Sequence, residues 1–169
     1  KKEKIKFCIG LGDISDKNME SEYKIVDEQY SKLMGVVPFS VIRGNHDRDD
    51  SSGASFSYSK YITKEKYGSQ ITGSFDDSML NTYKIEKIGN VKYLFLSLDY
   101  TLTDPVLDWA NEVISANKDC AVVVSTHIYY SAAGKFYDIG ENTSLGGYGA
   151  KNNGESLWKK VLSKHENVV

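Results

Sequence analysis

The fold of this chain is set by residues 5–47, which read IKFCIGLGDISDKNMESEYKIVDEQYSKLMGVVPFSVIRGNHD. The short apolar run Ile5–Gly10 is typical of a central strand in a sheet that is covered on both faces. Apolar residues then recur at helical spacing from Met19 to Met34, and the run Val36–Ile42 predicts a second strand. A strand, a helix and a strand joined by short loops predict a right-handed βαβ unit with parallel strands.

The rest of the chain also alternates between strand and helix patterns. Two apolar runs flank Gly89-Asn90, a two-residue turn that is typical of a β-hairpin. The further predicted elements are a short helix over Ser57–Tyr67, a helix that opens with Asp104-Pro105, a buried strand over Ala121–Ser125, a last helix over Glu155–Lys164 and the first residues of a strand at Asn167–Val169. Residues 131–154, which precede the last predicted helix, predict a long loop on the substrate side.

Composition indicates one globular domain over residues 1–169. The chain has 169 residues, a net charge of −2, 40% hydrophobic and 26% charged residues, which excludes disorder as its main state. Nothing approaches the ~20 consecutive apolar residues of a membrane span. The lysines are spread along the chain, which argues against a nucleic-acid-binding surface. Cys8 and Cys120 lie in or beside apolar runs, so we expect both to be free thiols that pack as small hydrophobes.

Polar residues follow three of the predicted strands at their carboxyl ends. The segment GDISD carries Asp13 and Asp16, GNHD carries Asn45 and His46, and STH carries His127. Each segment alone has a simpler explanation in turn chemistry, but three strand ends that agree favour a site at one sheet edge. A carboxylate, an amide oxygen and imidazoles suit divalent metals.

These motifs, in this order and at these separations, resemble the calcineurin-like metallophosphoesterase superfamily. The segments LDWA and SLWKKVLSKHENVV also look like parts of its bacterial members. The resemblance implies an α/β fold, a two-sheet sandwich flanked by helices, with two divalent metal ions from among Mn, Fe, Zn and Mg. It further implies hydrolysis of a phosphomonoester or phosphodiester by a metal-bound hydroxide, on a small-molecule or phosphorylated substrate.

The resemblance also assigns metal ligands in this sequence. Asp13 would be the carboxylate that bridges both metals, and Asn45 and His127 would be ligands of the second metal.

Other roles follow from the same resemblance. His46 would face the substrate, where it stabilises the transition state or protonates the leaving oxygen. Asp16 would orient His46, and Asp47 is an alternative for that role. A carboxylate on one ring nitrogen fixes the tautomer and raises the basicity of the other nitrogen. Independently of the resemblance, Arg48 directly follows the GNHD motif and is a candidate contact to a substrate phosphate.

Two features depart from the family pattern. An Asp-x-His or Asp-x-Gln motif before Asp13 and a Gly-His-x-His motif after Val168 are both missing from these residues. We therefore expect an internal portion of a phosphoesterase domain with a half-built metal site, which would be inactive by itself. The alternative is a phosphoesterase-fold binding or structural module without catalysis. A hydrolase with a nucleophilic Ser or Cys is disfavoured, because no Gly-x-Ser-x-Gly segment is present.

Overall fold

The computed structural model describes residues 4–48, 57–137 and 152–169. Most of the predicted substrate-side loop, residues 138–151, lies outside the described residues. The described chain forms two sheets and several helices, so the predicted mixed α/β fold is confirmed. None of its described helices combines the length and the apolar character that crossing a membrane requires.

The βαβ unit forms the first sheet. Strand β1 (Cys8–Ile9) pairs in parallel with β2 (Phe39–Ser40), and helix α1 (Glu20–Ser31) connects them. The unit is confirmed, but both strands are shorter than the apolar runs predicted. The expected cover on both faces of β1 is wrong within the described residues, because Ile5 is 72% and Ile9 is 40% exposed. No described strand pairs with the second edge of β1.

An aromatic core lies beside this first sheet. The segment predicted as one short helix forms two, α2 (Ser57–Tyr61) and α3 (Lys64–Tyr67), followed by a 3-10 turn over Gly68–Gln70. The buried core residues here, four of them aromatic, are Tyr23, Phe39, Val41, Tyr58, Ile62, Tyr67 and Met79. Their packing holds α1 against the short helices and β2.

The second sheet is larger and mostly antiparallel. Its strands are β3 (Gly73–Ser74), β4 (Thr82–Ile88), β5 (Val91–Leu98) and β6 (Cys120–Thr126), in the order β3-β4-β5-β6. The predicted hairpin is confirmed, with Ile88 opposite Val91 and with Gly89 at a φ of 64°. Glycine suits this turn position because it has no Cβ to oppose the left-handed backbone conformation. Strand β6 pairs with β5 in parallel.

Two helices cover one face of the second sheet. Helix α4 (Asp104–Ala116) begins with the predicted proline, and α5 (Gly154–Lys160) ends before a 3-10 turn at Leu162–Lys164. Their core is aliphatic; its buried residues are Leu94, Leu96, Leu98, Leu102, Val106, Leu107, Ala110, Val113, Ile114, Cys120, Val122, Leu157 and Val161. Val168 bridges Val122 in parallel, at the place where a new strand was predicted.

Side chains connect the two sheets below the predicted site. The rings of Phe7 and Phe95 stack with centroids 3.8 Å apart. Cys8 and Cys120 are both free thiols, as expected; Cys120 is buried and Cys8 is half-buried. The carboxyl ends of β1, β2 and β6 thereby come together.

Candidate metal and active site

Three atoms that could bind a metal lie close together at the carboxyl ends of β1, β2 and β6. We call them the donor set; they are Asp13 Oδ1, Asn45 Oδ1 and His127 Nε2. His127 follows β6, and its Nε2 lies 3.0 Å from Asn45 Oδ1 and 3.4 Å from Asp13 Oδ1. Asp13 follows β1 and Asn45 follows β2. Two ligands that sit about 2.1 Å from a cation, at right angles to each other, are about 3 Å apart. The two distances from His127 Nε2 therefore suit ligands of one small divalent cation.

The tautomer of His127 strengthens this fit. Its Nδ1 lies 2.6 Å from the carbonyl oxygen of Leu11, which only accepts, so Nδ1 carries a proton and donates it. In the neutral ring, the unprotonated Nε2 then faces the oxygens of Asn45 and Asp13. Three lone pairs that converge repel one another unless a cation lies among them. The donor set thus suits a divalent metal, which neutral imidazole nitrogen and oxygen ligands both bind.

Two glycines make room for this convergence. A Cβ on Gly44 would lie 2.2 Å from Asp13 Oδ1, and a Cβ on Gly12 would lie 2.7 Å from His127 Nδ1. Gly12 also has a φ of 85°, which L side chains rarely adopt. Asp13 itself has a φ of 51°, in the left-handed region that Asp tolerates better than most residues. The backbone at Gly12, Asp13 and Gly44 therefore allows the side chains of Asp13 and His127 to come close to the neighbouring loop.

His46 is oriented mainly by the backbone of Asp16. Its Nδ1 donates to the Asp16 carbonyl oxygen over 2.7 Å, whereas the Asp16 carboxylate is 3.5 Å away. The contact from the main chain of Asp16 is therefore shorter than the contact from its carboxylate, and the orienting role of Asp16 stays a prediction. That carbonyl and then the Asp13 carboxylate raise the pKa of the His46 imidazole. The His46 backbone N–H donates to Asp13 Oδ1 over 3.0 Å, which ties His46 to the donor set.

Asp47 holds the two loops together instead of orienting His46. Its fully buried carboxylate accepts hydrogen bonds from the backbone N–H groups of Ile14, Ser15 and Gly44, at 2.7–3.0 Å. The Tyr23 hydroxyl donates to the same carboxylate over 3.2 Å. One side chain therefore fixes the loop after β1 relative to the loop after β2.

An ion pair lies behind the donor set. Arg43 donates through Nε and Nη2 to the carboxylate of Asp99, at 3.0 and 2.8 Å, and Asp99 is only 2% exposed. Burial works against the charged guanidinium, but the contact with Asp99 outweighs it and raises the pKa of Arg43. Tyr100 lies under this guanidinium and meets the His127 ring edge to face. The pair thus connects the residues before Asn45 with a neighbour of His127.

Arg48 is half-buried, and its carbonyl oxygen accepts a hydrogen bond from the side-chain amide of Asn18. This contact joins the same two loops again. The role of Arg48 toward a phosphate stays a prediction.

Sequence patterns did not predict the loop-holding role of Asp47 or the Arg43–Asp99 pair. Both consist of charged side chains beside apolar strand segments, where burial requires a partner. That signal was present, but Ser15, a partner of Asp47 on the other loop, is 32 residues away in the chain, and Asp99 is 56 residues from Arg43. Within residues 4–48, 57–137 and 152–169, no group of three His, Cys, Asp or Glu side chains is arranged to hold a metal. The donor set described above has only two such residues, and Asn45 completes it.

Comparison with known proteins agrees with this geometry. The family model for the calcineurin-like phosphoesterases matches residues 1–161, so the chain belongs to the calcineurin-like phosphoesterase family. The uncharacterized protein YvnB of Bacillus subtilis (strain 168) is 25% identical over 169 residues, which is 98% of this chain. The chain spans 12% of the length of that relative.

Proposed function

We propose that this chain provides the metal-binding and proton-donating residues of a metal-dependent phosphoesterase that cleaves a phosphomonoester or phosphodiester. The observation that carries the proposal is the convergence of Asp13, Asn45 and His127 on one point, with Nδ1 of His127 held by the Leu11 carbonyl oxygen and Nε2 facing the two side-chain oxygens. Membership of the calcineurin-like phosphoesterase family supports phosphoester hydrolysis as the general reaction.

The metal ligands in this proposal are Asp13, Asn45 and His127. When bound, divalent metal ions activate water and neutralise the charge on the phosphoryl oxygens. Asn45 contributes a neutral oxygen, which leaves the positive charge of the centre undiminished. Asp13 would hold two cations through its two carboxylate oxygens, as the family resemblance implies, and the proposed centre therefore has two metal ions from among Mn, Fe, Zn and Mg.

His46 acts on the substrate in this proposal. Because its Nδ1 is held by the Asp16 carbonyl, Nε2 is the ring atom that can hold a proton for the leaving oxygen. The nearby acceptor oxygens raise the pKa of this imidazole, which favours the protonated form that a general acid needs. Asp16 is a positioning residue that fixes the tautomer of His46.

The experiment measures metal content and hydrolysis of 4-nitrophenyl phosphate and bis(4-nitrophenyl) phosphate by the full-length protein that contains these residues. We expect bound divalent metal and turnover in the wild type. Asp13→Ala should lose both metal and turnover. His46→Ala should keep its metal and lose about 10²- to 10⁴-fold in kcat, the usual contribution of a general acid.

Asp77→Ala is the matched control, since Asp77 is an 88% exposed carboxylate that pairs with Lys64. It should leave metal content and turnover unchanged. One metal per chain would reject the two-metal centre, and full activity in His46→Ala would reject the role of His46. A wild type without metal or turnover would instead favour a binding module that keeps the fold without the chemistry.

A further inference from the structure

A cleft adjoins the donor set on the side of helix α1. Asp13 and His46 form one wall, and Ile25 and Val26 of α1 form the other. Its volume is about 450 Å³. Pockets for small organic ligands are usually about 300–1,000 Å³, so this cleft can receive part of a small substrate.

The position of His46 indicates which part of the substrate enters. The proposed function has His46 protonate the leaving oxygen, and the inference below rests on that proposal. His46 lines the cleft, and its Nδ1 is held by the Asp16 carbonyl, so the proposed function brings the leaving oxygen to a ring that borders this cleft. The organic group bonded to that oxygen therefore lies in the cleft.

The charges around the cleft disfavour an anion. Asp16 and Glu22 both line it, and the Asp16 carboxylate side chain is 69% exposed. Glu22 accepts hydrogen bonds from the backbone N–H groups of Met19, Asp16 and Lys17, at 2.9–3.2 Å. These bonds, the one from Met19 foremost, lower the pKa of the Glu22 carboxyl and keep it ionised. Among the described residues that line the cleft, none is a lysine or an arginine.

Beside Glu22, the α1 side of the cleft carries two apolar side chains, Ile25 and Val26, and the cleft is open to solvent here. Ile25 is 63% exposed although it lies on the helix face that borders the site. Val26 is half-buried beside it. An apolar wall that faces a reacting group favours contact with a hydrocarbon surface, because that contact removes both from water.

We infer that the cleft binds the leaving group of the phosphoester, and that this group is an organic alcohol with an uncharged or cationic body. In the step, the bond between phosphorus and the leaving oxygen breaks while a water oxygen bonds to phosphorus. The proton held by His46 ends on the alcohol, and one proton of the attacking water passes to the solvent. The acidic residues Asp16 and Glu22 disfavour a leaving group that carries a second phosphate or a carboxylate.

Calorimetric titration of the metal-loaded full-length protein tests this inference with three ligands that share one phosphonate. They are phenylphosphonate, 4-carboxyphenylphosphonate and 4-(trimethylammonio)phenylphosphonate. We expect the carboxylated ligand to bind the wild type at least about twofold more weakly than phenylphosphonate, and the cationic one at least as tightly. The kcat/KM values of the corresponding phenyl phosphates provide a second readout.

Ile25→Lys should weaken or reverse the preference for the unsubstituted ligand. It should tighten binding of the carboxylated ligand relative to phenylphosphonate by about two- to fivefold, the size of one partly exposed charge pair. Val36→Lys is the control, because Val36 is 77% exposed and follows α1 outside the cleft. It should leave all ratios unchanged.

Two results would overturn the inference while leaving the proposed function intact. These are equal binding of the carboxylated and unsubstituted ligands by the wild type, and an unchanged ratio in Ile25→Lys, each with normal ester hydrolysis. Loss of all phosphonate binding together with loss of hydrolysis in the metal-loaded wild type would overturn the proposed function as well.

Discussion

The two sheets of this protein are stabilised in different ways. The four-stranded sheet has strands of up to eight residues and an aliphatic core against α4 and α5. The two-stranded sheet has strands of two residues and an aromatic core, and its loops are held by the carboxylate of Asp47. Asp13, Asn45 and His46 all lie on the loops that follow β1 and β2 of the two-stranded sheet.

Most of the candidate site residues lie beside the smaller sheet, whereas the larger sheet mainly provides structural support. Long strands satisfy their backbone groups with each other, so the four-stranded sheet needs few polar side chains. Short strands leave backbone N–H groups in the following loops, and Asp47 accepts three of them. The same loops then present the donor atoms. The larger sheet contributes His127 to the donor set. The Arg43–Asp99 pair connects the segment after β2 with the segment after β5.

The largest effect is expected at Asp47. Asp47→Ala leaves the N–H groups of Ile14, Ser15 and Gly44 buried without their acceptor, which should cost about 3–5 kcal/mol of unfolding free energy. Metal binding should be lost too, because the loops of Asp13 and Asn45 separate. Urea unfolding and metal titration measure the two effects. Wild-type metal affinity in the folded variant would contradict the loop-holding role.

Leu96→Ala provides the opposite case in the aliphatic core. Leu96 is fully buried on β5, and its truncation should cost about 2–5 kcal/mol in unfolding free energy. Metal affinity of the folded fraction should stay at the wild-type value, since the donor loops keep their own contacts. A parallel loss of metal affinity would show that the two sheets do not behave as separate supports.

Removal of bound metal should destabilise the loops that carry Asp13 and Asn45 and leave the stability of the β4–β5 hairpin unchanged. At a free metal concentration 100 times the Kd, binding adds about 2.7 kcal/mol to the unfolding free energy, and a chelator should remove it. Hydrogen exchange should quicken most in residues 11–16 and 44–47. Residues 82–98 of the hairpin serve as the internal control. An equal change in both regions would argue against local coupling to the metal.

The smallest effect concerns the connection between the sheets. Arg43→Lys keeps the charge but loses the two-pronged contact with Asp99, and we expect a loss of about 1–2 kcal/mol in stability and about tenfold in metal affinity. Lys92→Ala is the control, because it removes an exposed ion pair with Asp119 at the far end of β5. It should change neither quantity. Metal affinity that stays unchanged in Arg43→Lys would limit Arg43 to a role in stability.

Much of the fold followed from local patterns. The hairpin around Gly89-Asn90, the proline-led helix α4 and the βαβ unit were all predicted, and all are present. The length of β1 was predicted wrongly, since the apolar run Ile5–Gly10 resembles a buried strand but has only one described neighbour. At the site, sequence patterns also did not show which group of Asp16 holds His46. The carbonyl oxygen of Asp16 is closer to the ring than its carboxylate.

The amino-acid sequence alone determined the order of the elements and the presence of polar residues at three strand ends. It could do so because apolar periodicity, turn residues and the motifs around Asp13, Asn45 and His127 are local properties of the chain. Only the tertiary structure decided that His127 turns Nε2 toward two oxygens and that Asp47 joins two loops. These contacts link residues 32 to 116 positions apart, and their geometry depends on how the two sheets pack.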